Sequence, residues 1–340
     1  MSNTLRWGIL GTGNIARQFA GGLATATRST LVAVGSRAAD SARAFATKYG
    51  IAAAYASYEQ CLNDPNVDAI YNSLPNSMHH EWTLRALRAG KHVLCEKPFA
   101  MNAQQAEEMF DVAGASGRVL AEAFMYRSHP LTHAVVRAVT AGEIGRLKLI
   151  RTSFCYRTTR LDDNIRFKPE LGGGSLMDIG CYCLNFARHL AGAEPVRAFA
   201  VGHLHASGVD DYASGTLEFP GGLVSTFSCG MTVQANNTAV LAGEEGWIEI
   251  PLPWKPAPLQ GEYVVCRGTP PKMDAGGKPV STTPTREARF VETTKDLYAY
   301  EADDFAATVL DGSAPRVTRQ DTIGNMQLLD TLRRQLGMPV

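Results

Sequence analysis

Three groups of residues have types and spacings suited to chemistry. Gly11, Gly13 and Ala16 form GxGxxA. In that pattern the first glycine makes a tight turn, the second lets backbone amides approach a pyrophosphate, and the small third residue allows close packing. Lys97 stands in Glu96-Lys97-Pro98, directly after the strand-type run 91–95. Open parallel sheets hold their ligands at the carboxyl ends of strands, so Lys97 is either a solvated strand end or a working ammonium. The third group is Gly172-Gly173-Gly174-Ser175 followed by a helical pattern, on which Asp178 and Tyr182 lie four residues apart and share a face. Taken alone, that pair reads first as a structural hydrogen bond.

The elements that must position these groups alternate at first. Residues 5–10 read as a strand, which runs through the glycine turn into a helix ending near residue 23. Strands at 31–35, 69–73, 91–95 and 118–123 then alternate with helices at 38–49, 81–89 and 103–115. Such alternation predicts a doubly wound parallel sheet, an α/β Rossmann domain over 1–125. Beyond it the rhythm changes to longer strand runs at 147–156, 196–205, 211–219, 223–232 and 238–250, with helices at 175–190, 298–310 and 320–336. Residues 126–340 therefore read as an α+β domain with a mostly antiparallel, open-faced sheet, its helices over one face. The Pro/Gly-rich stretch 251–284 reads as a long loop with at most short strands. A sheet with one uncovered apolar face predicts a homodimer or homotetramer.

Composition narrows the function. Of 340 residues, 45% are hydrophobic and 33 basic residues balance 33 acidic ones, so the basic footprint needed for nucleic acid or an anionic membrane is lacking. The first residues lack the blocks of a signal peptide and no apolar run reaches membrane-spanning length, which predicts a soluble, cytoplasmic protein. Seven scattered cysteines, without a CxxC pair, predict buried thiols rather than disulfides or a metal site. No metal is expected.

The cofactor follows from the second strand. Its end carries Gly35-Ser36-Arg37 where NAD sites place a carboxylate for the ribose hydroxyls. Ser36 can donate to a 2′-phosphate and Arg37 can pair with it, so NADP is favoured, with NAD possible. The helix opening at Asn14 and Ile15 offers its free amides to the pyrophosphate.

Together GTGNIA, the Ser36-Arg37 pair, SLPNSMHHEWTLRALRAGKHVLCEKPFA, EAFMYRSHP and GGGSLMDIGCY resemble the Gfo/Idh/MocA oxidoreductases. EAFMYR combined with GGGxLMDxGCY is most similar to the branch with NADP-dependent D-xylose dehydrogenases and dimeric dihydrodiol dehydrogenases. The resemblance implies that Lys97 lies by the nicotinamide and the reacting hydroxyl, that Tyr182 is the acid/base and that Asp178 positions substrate. Inositol dehydrogenases place histidine where Tyr182 stands, which weakens an inositol reading. Around this set the resemblance implies Glu96 on the nicotinamide ribose, Asn76 and His79 over the cofactor, and Tyr126 and Arg127 in the pocket wall. Arg160 and Arg166 could reach an anionic substituent, although a solvated loop is the plainer reading.

The implied activity is hydride transfer between nicotinamide and a carbinol or carbonyl carbon of a sugar or related cyclic polyol. Alternatives are a dihydrodiol, dicarbonyl or anhydrosugar dehydrogenase or reductase and, more distantly, a non-enzymatic dinucleotide-binding regulator. Oxidation needs a base for the hydroxyl proton and a positive charge beside the developing alkoxide. Tyr182 as phenolate or Lys97 as free amine meets the first need, and NADP⁺ together with a second cation is expected to lower the pKa of either.

Overall fold

A computed structural model describes residues 3–268, 272–280 and 283–340. Six strands, β1 (Leu5–Leu10), β2 (Ser29–Gly35), β3 (Ala53–Tyr55), β4 (Ala69–Asn72), β5 (His92–Glu96) and β6 (Leu120–Ala123), pair in parallel in the order β3-β2-β1-β4-β5-β6. This is the Rossmann order. Crossovers are filled by α1 (Asn14–Gly22), α2 (Ala39–Tyr49), α3 (Tyr58–Leu62), α4 (His79–Arg88) and α5 (Ala103–Ser116). Strand order reverses between β1 and β4, which opens the crevice where such sheets bind ligands. There the Ser73 hydroxyl donates to the Leu10 carbonyl at 2.7 Å, bracing the two strand ends against each other.

After α6 (Pro130–Thr140), which the sequence reading passed over, the chain builds a second sheet. Its strands are β7 (Leu147–Cys155), β8 (Arg197–Leu204), β9 (Asp210–Glu218), β10 (Val224–Gly230), β11 (Ala239–Gly243), β12 (Gly246–Ile250), β13 (Gln260–Arg267) and β16 (Thr285–Glu292). A separate two-stranded ribbon, β14 (Lys272–Met273) with β15 (Pro279–Val280), interrupts the numbering. The large sheet runs β16-β13-β12-β11-β7-β10-β9-β8, and every pairing except β7 with β10 is antiparallel. Two expectations need correction. The run 238–250 is a hairpin of two strands, because Gly243-Glu244-Glu245-Gly246 turns the chain. The stretch 251–284 is no plain loop, since GEYVVC lies within β13, paired along its length with β16. Flanking proline and glycine masked a strand that tertiary pairing stabilises.

One face of this sheet is covered by α7 (Cys181–Ala191) and α6, with α9 (Arg319–Gln335) against its β8 end. The uncovered face leaves Phe199 and Val201 62% and 59% exposed. The last two helices were expected on the second sheet, but α8 (Leu297–Asp311) returns to the first. Phe305 of α8 meets Trp7 of β1 at 5.2 Å between ring centroids, and Asp303 accepts from the Thr27 and Arg28 amides at 2.8 and 2.9 Å. Trp7 is fully buried, so its truncation to alanine costs about 3–5 kcal/mol. The α9 carboxylate of Asp330 likewise accepts from the Ala103 amide at the start of α5. These contacts tie the two sheets together and fix the cleft between them. Among the described residues no helix is long and apolar enough to cross a membrane. All seven cysteines are free and buried, in accord with the sequence reading.

Candidate active site

Lys97 directly follows β5, and its side chain is 12% exposed. Its ammonium donates to the Asp178 carbonyl at 2.6 Å, lies 3.4 Å from Asp178 Oδ1, and sits 5.1 Å from the centroid of the Tyr182 ring. Residues 81 to 85 positions apart in sequence thus meet at one ammonium. The turn that brings Asp178 there depends on its glycines. Gly174 has φ +118°, and a Cβ on it would fall 2.3 Å from Asp210 Oδ1, while one on Gly173 would fall 2.4 Å from the Arg166 carbonyl oxygen. Asp210 Oδ2 then accepts from the Ser175 hydroxyl at 2.6 Å and the Leu176 amide at 2.8 Å, capping a turn of π-helix (Leu176–Gly180) that runs into α7. Wide π turns re-aim side chains and recur at functional sites.

Asp178 is the electrostatic centre. Its Oδ2 accepts from the Tyr156 hydroxyl and from Arg166 Nε, both at 2.7 Å. Burial alone would raise its pKa, but Lys97 and Arg166 outweigh that and bring it down to about 2. Asp178 is a carboxylate throughout the physiological range. Burial pulls Lys97 down, yet Asp178, helped by Cys181 and Glu96, lifts it above the usual lysine value. Tyr182 is raised well above the ordinary phenol, by burial first and then by Glu96. In the protein alone Lys97 is therefore an ammonium and Tyr182 a neutral phenol, whose hydroxyl donates to Met125 Sδ at 3.3 Å. Tyr126, Phe154 and Trp254 surround the Tyr182 ring, with centroids 5.3–6.0 Å away, and keep water from it.

The other end of the cleft presents an uncapped helix start behind a glycine turn. Gly11 has φ +95° and its amide donates to the Gly35 carbonyl, closing the turn after β1. Helix α1 begins with no side-chain cap, so the amides at Asn14 and Ile15 are free to meet an anion. A Cβ on Gly13 would meet nothing within 4 Å, which leaves room above the helix end, and Ala16 is fully buried against the sheet. Ser36 is buried, while Arg37 is exposed beside Tyr58. These residues fit a dinucleotide.

Comparison with known proteins decides the family. Residues 5–124 match the oxidoreductase family with an NAD-binding Rossmann fold, and residues 132–249 match the GFO/IDH/MocA C-terminal domain. The chain belongs to the Gfo/Idh/MocA oxidoreductases. Among its relatives is the mouse trans-1,2-dihydrobenzene-1,2-diol dehydrogenase, 37% identical over 258 residues, which are 75% of this chain and 77% of the relative. The D-xylose 1-dehydrogenase (NADP(+)) 2 of Haloferax volcanii is 33% identical over 96% of both chains. Of the solved structures, KijD10, a 3-ketoreductase from Actinomadura kijaniata in complex with NADP and TDP-benzene, superposes with a TM-score of 0.85 at 30% identity, covering 98% of each chain.

Other residues of this Gfo/Idh/MocA protein occupy plainer positions than the sequence implied. His79 is wholly buried, with Nδ1 2.9 Å from the Pro98 carbonyl and Nε2 2.8 Å from the Leu74 carbonyl, and burial draws its pKa down to about 4. As a neutral ring it donates its one N–H to one of these carbonyls and packs between the loop after Lys97 and the end of β4. Asn76 donates to the Gly172 carbonyl at 2.8 Å and so braces the glycine turn. Glu96 accepts from the buried Tyr71 hydroxyl and, at 3.2 Å, from the Lys97 amide. The Tyr126 hydroxyl is committed to Asn185 Oδ1 at 2.5 Å. Arg127 is likewise buried and bonded within the protein. Its terminal nitrogens bond Asn185 at 3.1 Å and the Arg316 carbonyl at 2.9 Å, with Asp321 3.5 Å away.

Arg166, read from sequence as a solvated loop residue, instead grips Asp178, whereas Arg160 remains exposed. Tyr156 and Asp210 were missed entirely. Tyr156 ends a strand run like many tyrosines, and nothing local marks it. Asp210 follows a Ser-Gly turn in a polar stretch, and only the fold brings it under Ser175.

Proposed function

We propose that this protein transfers hydride between NADP and a carbinol or carbonyl carbon of a sugar or related cyclic polyol, with Lys97 and Tyr182 handling the proton and Asp178 positioning both Lys97 and substrate. The observation that carries this reading is the Lys97 ammonium held on Asp178 over the Tyr182 ring at the carboxyl end of β5. The nicotinamide supplies or accepts the hydride. In the reducing direction the Tyr182 phenol, kept protonated by burial, delivers a proton to the carbonyl oxygen, while the Lys97 charge stabilises that oxygen as it becomes anionic. In oxidation the proton returns the same way. Exposed Arg37, with no carboxylate at the end of β2, supports a 2′-phosphate and hence NADP.

In this reading 1–125 hold the dinucleotide through Gly11, Gly13, Asn14, Ile15, Ala16, Ser36 and Arg37, and 126–340 hold substrate and the subunit contact. The exposed Phe199 and Val201 support pairing of two copies through the open sheet face.

The test is nicotinamide absorbance against aldoses, inositols, anhydrosugars and dihydrodiols, with NADP and NAD in parallel, for wild type and Lys97→Met. Turnover of one substrate group with NADP, lost in the variant by about 10³-fold while cofactor still binds, is the expected result. Tight NADP binding with no turnover of any substrate in either direction would point to a regulator instead.

A further inference from the structure

One more cation faces the cleft from the second sheet. Lys255 lies in the link between β12 and β13, directly after Trp254. Trp254 is 2% exposed, donates Nε1–H to the Ser153 carbonyl at 2.9 Å and stacks on Phe154, so the link is pinned by one large side chain. Lys255 keeps an exposed side chain overall, while its ammonium end is partly enclosed by the cleft. Its ammonium crosses the cleft to α1 and donates to Gln18 Oε1 at 2.9 Å, and the Tyr298 hydroxyl of α8 donates to the same oxygen at 3.0 Å.

Two physical points make the amide a poor resting partner. Lys97 and Arg166 set two further positive charges around the Lys255 ammonium, against the carboxylates Asp178 and Glu96. Burial lowers the Lys255 pKa, Lys97 lowers it further, and Glu96 and Asp178 only partly oppose them. A phosphate oxygen would relieve that strain on the ammonium far better than a neutral amide does. Such oxygens would lie close by, because Gln18 is one turn past the uncapped start of α1, about 6 Å along the helix axis and within the swing of a lysine side chain.

We propose that Lys255 is a dinucleotide-binding residue supplied by the second sheet, whose ammonium leaves Gln18 when cofactor binds and pairs with a pyrophosphate oxygen at the start of α1. The inference rests on the dinucleotide reading above and adds a clasp to it: the same contact that holds the cofactor draws the two sheets together over it.

Fluorescence titration of the full chain with NADPH, NADH and ADP-ribose tests it, because all three ligands share the pyrophosphate. Lys255→Met weakens all three by about tenfold, as loss of one charge-assisted bond does, and flattens the salt dependence of binding. Lys255→Arg restores most of the affinity, and Gln18→Leu, which removes the resting acceptor that Lys255 shares with the Tyr298 hydroxyl, does not weaken binding. Unchanged affinity for all three ligands in Lys255→Met overturns the proposal. So does weakening confined to NADPH, which would assign Lys255 to the 2′-phosphate. It fails as well if cofactor affinity holds while KM rises for phosphate-bearing sugars alone, which would assign Lys255 to substrate. In each of these cases wild-type NADPH binding leaves the dinucleotide reading standing, whereas a wild type that binds none of the three overturns both.

Discussion

The two ends of the cleft handle charge in opposite ways. At the Lys97 end each ionised side chain is partnered: Lys97 with Asp178, Asp178 with Arg166 and Tyr156, Glu96 with Tyr71. At the α1 end the helix amides are uncapped and Arg37 is exposed to solvent. Chemistry needs charges fixed in place before the transition state forms, so that no reorganisation is required when it does. Recognition of a ligand that comes and goes needs groups whose best partner is the ligand itself. Under the proposed roles, the protein buries its reacting charges and leaves its binding charges open.

Substitutions at the two ends should then fail differently. After the loss expected at Lys97, the largest effect is at Tyr182→Phe, which removes the proton donor but keeps the ring under Lys97. We expect kcat for carbonyl reduction to fall by about 10²–10⁴-fold with little change in cofactor affinity. Equal falls in affinity and kcat would erase the contrast between the ends.

Asp178→Asn tests the buried charges through pH. Asp178 raises the pKa of both Lys97 and Tyr182, so its removal lowers whichever group must lose a proton for oxidation. The alkaline rise of the oxidation rate should move to lower pH in the variant, and a profile that stays in place contradicts the assigned electrostatics. Stability carries the same sign information. The folded pKa of Asp178 is depressed to about 2, so its contribution is present above the unfolded value and lost as pH falls through the folded one. Between about pH 4 and 2 wild type should lose about 2 kcal/mol that the variant does not, read from urea midpoints across that window.

The smallest effect is at the open end. Arg37→Ala should weaken NADPH by about tenfold while leaving NADH unchanged and kcat nearly so, since only a solvated contact to the 2′-phosphate is lost. A large fall in kcat would mean that the open end shapes the reacting geometry after all.

How much of this was legible beforehand follows the same division. Features that are local could be read: the glycine turn after β1, Arg37 at the end of β2, the place of Lys97 after β5, and the glycine turn ahead of Asp178. Residues whose role is made by distant contacts could not. Tyr156, Asp210, Gln18 and Lys255 gain meaning only when strands far apart in sequence are brought together. The same holds for secondary structure. The alternating units of the first sheet carry their period within each segment, whereas β13 is hidden between prolines and glycines and exists because β12 and β16 pair with it. The helix α8 was found at nearly its full length, but its place on the first sheet rests on Trp7 and Asp303 contacts that no periodicity records. His79 and Arg127 show the converse: polar residues in telling motifs that the fold spends on its own carbonyls and amides.

The central claim is that hydride passes directly between nicotinamide and a carbinol carbon beside Lys97. Incubation of the protein with each of the two stereospecifically 4-deuterated forms of NADPH and the keto form of its best substrate, followed by mass spectrometry of the product, tests that most directly. The account predicts one deuterium on the new carbinol carbon from one of the two forms and none from the other. Product without deuterium from either form, or deuterium released to solvent, would contradict it.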